Sequence, residues 1–189
     1  PVGVAVSPDG TRAYITNIDG TSVSVVDTAT NAVTGTIDGF ARPFGGAFSP
    51  DGTRAYITNY GGASVSVVDT VSNTITATVG GFTDPWGVAV SPDGRHVYIT
   101  NDGGASVSVL DTASNTITAT IGVDAGPVGV AVSPDGTRAY ITNFSGASVS
   151  VLDTATNTIT ATIGGFTTPD GVAVSPDGTR AYITNLGST

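Results

Sequence analysis

The feature that most constrains this chain is an internal repeat of fixed length. The string Ser-Pro-Asp-Gly begins at Ser7, Ser49, Ser91, Ser133 and Ser175, always 42 residues apart. A looser Tyr-Ile-Thr-Asn string follows at Tyr14, Tyr56, Tyr98, Tyr140 and Tyr182 with the same period. Five copies in register mean that each unit completes its neighbours, so the units are read before any local element.

One unit, residues 85–126, shows what the period encodes. Gly87 to Val90 reads as a short strand of small and branched residues. Ser91-Pro92-Asp93-Gly94 is a turn, because Pro presets φ, Asp bonds its local backbone and Gly tolerates positive φ. Arg95 to Thr100 is the second strand, ending in the polar loop Asn101 to Gly104. Ser106 to Leu110 is the third. Asp111 to Asn115 turns the chain into a fourth, Thr116 to Ile121. Ile117, Ala119 and Ile121 are expected to point one way, and Thr116, Thr118 and Thr120 the other. Pro, Gly and β-branched residues leave no room for helices. A four-stranded unit of this length, stacked on its own copies, predicts an all-β protein, a β-propeller of antiparallel blades. An open β-solenoid is the rival, though it usually repeats over shorter units.

Composition agrees with that class. There are 26 Gly and 10 Pro, no Cys and no Met, and all 15 acidic residues are Asp. Without Cys there are no disulfides and no thiolate chemistry. A net charge of −9 with six Arg as the basic side chains repels phosphate backbones, which argues against nucleic acid as a partner. No apolar run is long enough for a helical membrane span. Neither end resembles a signal peptide or a lipidation site.

Gly-Val-Ala-Val-Ser-Pro-Asp-Gly (Gly87 to Gly94), Tyr-Ile-Thr-Asn (Tyr98 to Asn101) and Ser-Val-Ser-Val-Leu-Asp-Thr (Ser106 to Thr112) together resemble the YVTN β-propeller repeats. Those repeats occur in archaeal and bacterial surface-layer and secreted proteins. The resemblance covers the whole chain and implies an extracellular or cell-surface binding or structural module. Lactonase-like enzymes and amine dehydrogenase heavy chains share the propeller architecture, so a metal-assisted enzyme is the alternative and a structural spacer a third reading.

Four full units occupy residues 1–42, 43–84, 85–126 and 127–168. A half unit, 169–189, carries only the first two strands. About 4.5 units make no whole ring. The expectation is a part of a longer propeller; a small ring with a two-stranded last blade, or two chains sharing one ring, are the others. An incomplete blade also invites self-association.

The working surface is expected where the units disagree. The loops between units differ (Phe40 to Phe44, Phe82 to Trp86, Asp124 to Val128, Phe166 to Asp170), as do those after the second strand (at Ile18, Tyr60, Asp102, Phe144 and Leu186). In an up-and-down meander both loop classes emerge on one side of the disc. Arg42, Phe44, Tyr60, Asp84, Trp86, Asp102, Phe144 and Asp170 are therefore the candidate ligand face, suited to protein or carbohydrate. Phe40, Phe82 and Phe166 read as plugs between units. The lone His96 replaces an Ala in a strand and reads as structural. No His–acid–nucleophile set can be assembled, so no catalytic residue, cofactor or metal ligand is assigned. Most Asp has turn duty, and neither turn series has the clustering of a calcium loop. A cation on the axis is the residual cofactor expectation, and lactonase-like chemistry would have to draw on Asp84, Asp102, Asp124 and Asp170.

Overall fold

A computed structural model of the chain describes residues 1–187. Ser188 and Thr189, the end of the expected half unit, lie outside the described residues. The first unit supplies strands β1 (Val4–Val6), β2 (Arg12–Asn17), β3 (Ser22–Asp27) and β4 (Ala32–Asp38). The second supplies β5 (Pro43–Phe48), β6 (Arg54–Asn59), β7 (Ser64–Asp69) and β8 (Thr74–Gly80). The third supplies β9 (Pro85–Val90), β10 (His96–Asn101), β11 (Ser106–Asp111) and β12 (Thr116–Gly122). The fourth supplies β13 (Pro127–Val132), β14 (Arg138–Asn143), β15 (Ser148–Asp153) and β16 (Thr158–Gly164), and β17 (Pro169–Val174) with β18 (Ala181–Asn185) follow. Each full unit is one antiparallel sheet with its strands in chain order, and β17–β18 is a two-stranded sheet. The first strands pack consecutively, β1 on β5, β5 on β9, β9 on β13 and β13 on β17. These are propeller blades arranged around a common axis, with each unit's first strand innermost.

Among the described residues, three apolar clusters fill the three seams between the full blades. Tyr56, Val65, Val67 and Phe82 of the second blade meet Val97, Ile99 and Leu110 of the third. The same positions recur one seam earlier and one seam later. The expected alternation of the fourth strand needs correction here. Pairing slips between Val109 and Leu110, so that Ala119 faces Val109 but Ile117 faces Leu110. This bulge at Thr118 turns Ile117 toward the preceding seam, while Ala119 and Ile121 pack into the following one. One strand thereby serves both faces of its blade.

The polar residues in the strands are satisfied in a way that repeats with the period. Asn101 donates from Nδ2 to Ser106 and Ser108 at 3.1 and 2.9 Å, and Asn59 and Asn143 do the same in their blades. The Thr of Tyr-Ile-Thr-Asn ties three strands across a seam. Thr100 Oγ1 accepts from the Gly87 N–H at 2.7 Å and donates to the Val128 carbonyl of the next blade at 2.8 Å. Thr16, Thr58 and Thr142 make equivalent bonds to Phe44, Trp86 and Asp170. Glycine is demanded beside each such carbonyl: a Cβ at Gly45 would sit 2.6 Å from the Trp86 carbonyl oxygen.

The arc ends in two uncovered faces. Val4, Val6 and Val33 are 66, 56 and 66 % exposed, although their counterparts Val88, Val90 and Ile117 are packed in a seam. At the other end Tyr182 is 59 % exposed, whereas Tyr14, Tyr56 and Tyr98 are buried.

The constant turns hold their aspartates in the charged form. Ser7 donates to Asp9 at 2.6 Å, and the Thr11 backbone and hydroxyl add two more bonds, which lower its pKa to about 2. Asp51, Asp93, Asp135 and Asp177 are lowered by the same Ser contact first, and Asp27, Asp69, Asp111 and Asp153 by bonds from the Ser or Thr three residues on. A depressed folded-state pKa stabilises above the unfolded value of about 4 and is lost as pH falls through the folded one. Thermal melts are expected to be flat above about pH 5 and to drop steadily between about pH 4 and 2. An unchanged Tm at pH 2.5 would contradict this.

Candidate functional site

The two variable loop classes lie together, as strand direction requires, because their backbones are bonded to each other. Tyr60 N donates to the Arg42 carbonyl (3.2 Å), Asp102 N to that of Asp84 (3.1 Å), Phe144 N to that of Gly126 (2.7 Å) and Leu186 N to that of Thr168 (3.1 Å). The accepting residue has positive φ each time: 52° at Arg42, 50° at Asp84, 67° at Gly126 and 48° at Thr168. Left-handed backbone at a non-glycine residue costs about 1–3 kcal/mol and is sustained only by its surroundings. Here the bonded neighbouring loop supplies them.

Arg42, Phe44, Tyr60 and Trp86 form one cluster across the second seam. The Phe44 and Trp86 rings lie 3.9 Å apart between centroids at 41°, and Tyr60 meets Trp86 edge-on at 5.5 Å. The Arg42 guanidinium rests over Tyr60, 5.3 Å from its centroid. Phe44 and Trp86 sit at the same position of successive inner strands and line a shallow depression of about 180 Å³ at the axial mouth. Val128 and Asp170 continue that wall, and Gly45, Gly87 and Gly129 line it through their backbone. Val128 is not among the sequence candidates, yet it shares the register of Phe44 and Trp86, which was the available signal.

Asp84 and Asp102 form a second, smaller grouping one blade on. Burial pushes the Asp102 carboxyl up, and the nearby Asp84 charge adds to it. Phe144 is half-buried and stands apart from both groups. Asp124 is engaged locally: its carboxylate accepts from Ser148 Oγ (2.8 Å) and Ala125 N (2.8 Å), bonds that lower its pKa. The Ala125 N–H is thereby diverted. Its counterparts at Ala41, Thr83 and Thr167 donate to Asn59, Asn101 and Asn185, while Asn143 Oδ1 has no partner among the described residues. The four aspartates considered for metal chemistry thus do not converge. Among the described residues no three His, Cys, Asp or Glu side chains form a metal-sized group.

Phe40 and Phe82 are buried in the seam clusters, as plugs should be, whereas Phe166 is only half-buried and joins none of the three clusters. In the third inter-blade loop, which has Asp124 at that position, Val123 packs into the seam instead. His96 lines a cleft beside Asp93, Asp135 and Thr154 on the constant-turn face, remote from the variable loops in the meander. Two further clefts of about 490 and 360 Å³ lie on that face at successive seams, formed by adjoining turns. Their aspartates Asp9, Asp51 and Asp93 already accept bonds from their own turns, whereas the buried Tyr56 hydroxyl of the second cleft has no partner among the described residues.

No family model and no curated protein matches this chain. Among solved structures, it is similar to hydrazine synthase of Kuenenia stuttgartiensis, with a TM-score of 0.88 and 31 % identity over 98 % of this chain and 55 % of the other. It is also similar to a functionally unknown protein from Desulfotomaculum acetoxidans, with a TM-score of 0.87 and 20 % identity over 97 % of this chain and 62 % of the other. The chain thus spans little more than half the length of either, and both comparisons agree with a propeller-type fold.

Proposed function

We propose that the chain is a non-catalytic binding propeller of the YVTN type, working at a cell surface or outside the cell, with its variable loop face as the recognition surface. The observation that carries this reading is the Arg42–Phe44–Tyr60–Trp86 cluster at the axial mouth. Aromatic and Arg side chains on a rigid scaffold supply large contact area at low entropic cost, which is how recognition anchors are built. The alternative, a metal-assisted enzyme, would have to draw on the carboxylate pair Asp84 and Asp102. Binding of the purified chain to a combined glycan and peptide array tests the proposal. F44A and W86A are expected to weaken the best interaction by about tenfold or more each, a cost of about 1.4 kcal/mol. Unchanged affinity in both variants would overturn the recognition face.

A further inference from the structure

We propose that the axial mouth is a site for an organic cation, an ammonium or guanidinium group carried on a small apolar body. The proposal rests on the recognition reading above and narrows it to a ligand class.

The floor of the depression is glycine backbone with its hydrogen-bonding groups engaged. The N–H groups of Gly45, Gly87, Gly129 and Gly171 donate to Thr58, Thr100, Thr142 and Thr184. The carbonyls of Phe44, Trp86, Val128 and Asp170 accept from Thr16, Thr58, Thr100 and Thr142. An anion would therefore find no free backbone donor there. A sugar needs several converging polar groups around its hydroxyls, and the wall offers one polar side chain, Asp170. What the wall does offer is two aromatic rings in contact, the aliphatic Val128, and that carboxylate. Ring quadrupoles attract a cation over their faces, most strongly for Trp and when water is excluded, and a carboxylate supplies the counter-charge.

The surrounding charge points the same way. Asp84, Asp102, Asp124 and Asp170 on this face outnumber Arg42, so the field at the mouth is negative and draws cations in. Arg42 itself illustrates the chemistry, since its guanidinium already rests on Tyr60 at the rim of the same cluster. Tyr60 is thereby occupied, while Phe44 and Trp86 line the depression.

Trp86 is the single Trp of the chain, so its fluorescence reports the site directly. The full chain is titrated with tetramethylammonium chloride and with L-argininamide, with sodium chloride at matched ionic strength as the blank and N-acetylglucosamine as the neutral probe. A saturable change is expected with both cations. It should weaken about tenfold in D170N, and also in F44L, which removes the ring and keeps the bulk. No saturable response to either cation, or equal responses in wild type and both variants, overturns the proposal. A response to N-acetylglucosamine alone overturns it while leaving the recognition face standing. Silence to all probes together with a silent array removes both readings.

Discussion

Replacing Gly87 by Val is expected to disrupt the central seam, with a stability loss of about 4 kcal/mol or more. A Cβ at Gly87 would fall well inside contact distance of the Val128 carbonyl oxygen, and the Thr100 hydroxyl leaves no room beside it. The clash is with backbone that is itself fixed by the Thr100 bond, so no rotamer change relieves it. The two inner strands must separate, and the loss approaches the whole stability of an ordinary domain. The same change at Gly171 is the internal control. There, among the described residues, a Cβ meets only Thr184 Oγ1, at 3.1 Å. Chemical denaturation should therefore separate G87V sharply from G171V. Equal stabilities would show that the inner strands do not approach as closely as this packing requires.

The second large effect is expected from Thr100→Val, which keeps the shape and removes the hydroxyl. Thr100 is fully buried, and its oxygen serves the Gly87 N–H and the Val128 carbonyl together. Both groups lose a partner that is itself fully buried between the inner strands. An orphaned buried group costs about 1–3 kcal/mol, so the combined loss should be about 2–5 kcal/mol after the gain from the added methyl. Thr100→Ser retains the oxygen and should recover most of it. Thr184→Val removes the equivalent hydroxyl at an exposed position and should cost less than about 1 kcal/mol. If Thr100→Val matched Thr184→Val, the seam would be held by apolar packing alone.

Much of the fold is legible in the chain because repetition multiplies weak signals. One Ser-Pro-Asp-Gly turn means little, whereas five at a period of 42 fix the blade, its strand order and its turns. The shared face of the variable loops follows from strand direction alone, and the backbone bonds from Tyr60 to Arg42 and from Asp102 to Asp84 agree with it. The bulge at Thr118 is not legible, because an alternating Thr-Ile-Thr-Ala-Thr-Ile string gives no sign of the slipped register. Nor is the Thr100 bridge, whose acceptor lies 28 residues away in the next blade. Sequence variation named eight residues only as sharing one face; the structure places Arg42, Phe44, Tyr60 and Trp86 in one cluster, Asp84 beside Asp102 and Asp170 on the axial wall, with Phe144 apart. Variation did not reveal that Phe44 and Trp86 touch, nor that Val128 and Asp170 extend their wall, since both depend on how inner strands converge on the axis.

Amide hydrogen exchange of the chain, with and without its strongest array ligand, tests the central claim most directly. The account predicts added protection at the variable loops around Arg42 to Phe44, Tyr60 to Gly62 and Asp84 to Trp86, with the Ser-Pro-Asp-Gly turns unchanged. Protection confined to those constant turns, or to the outer strands, would contradict it.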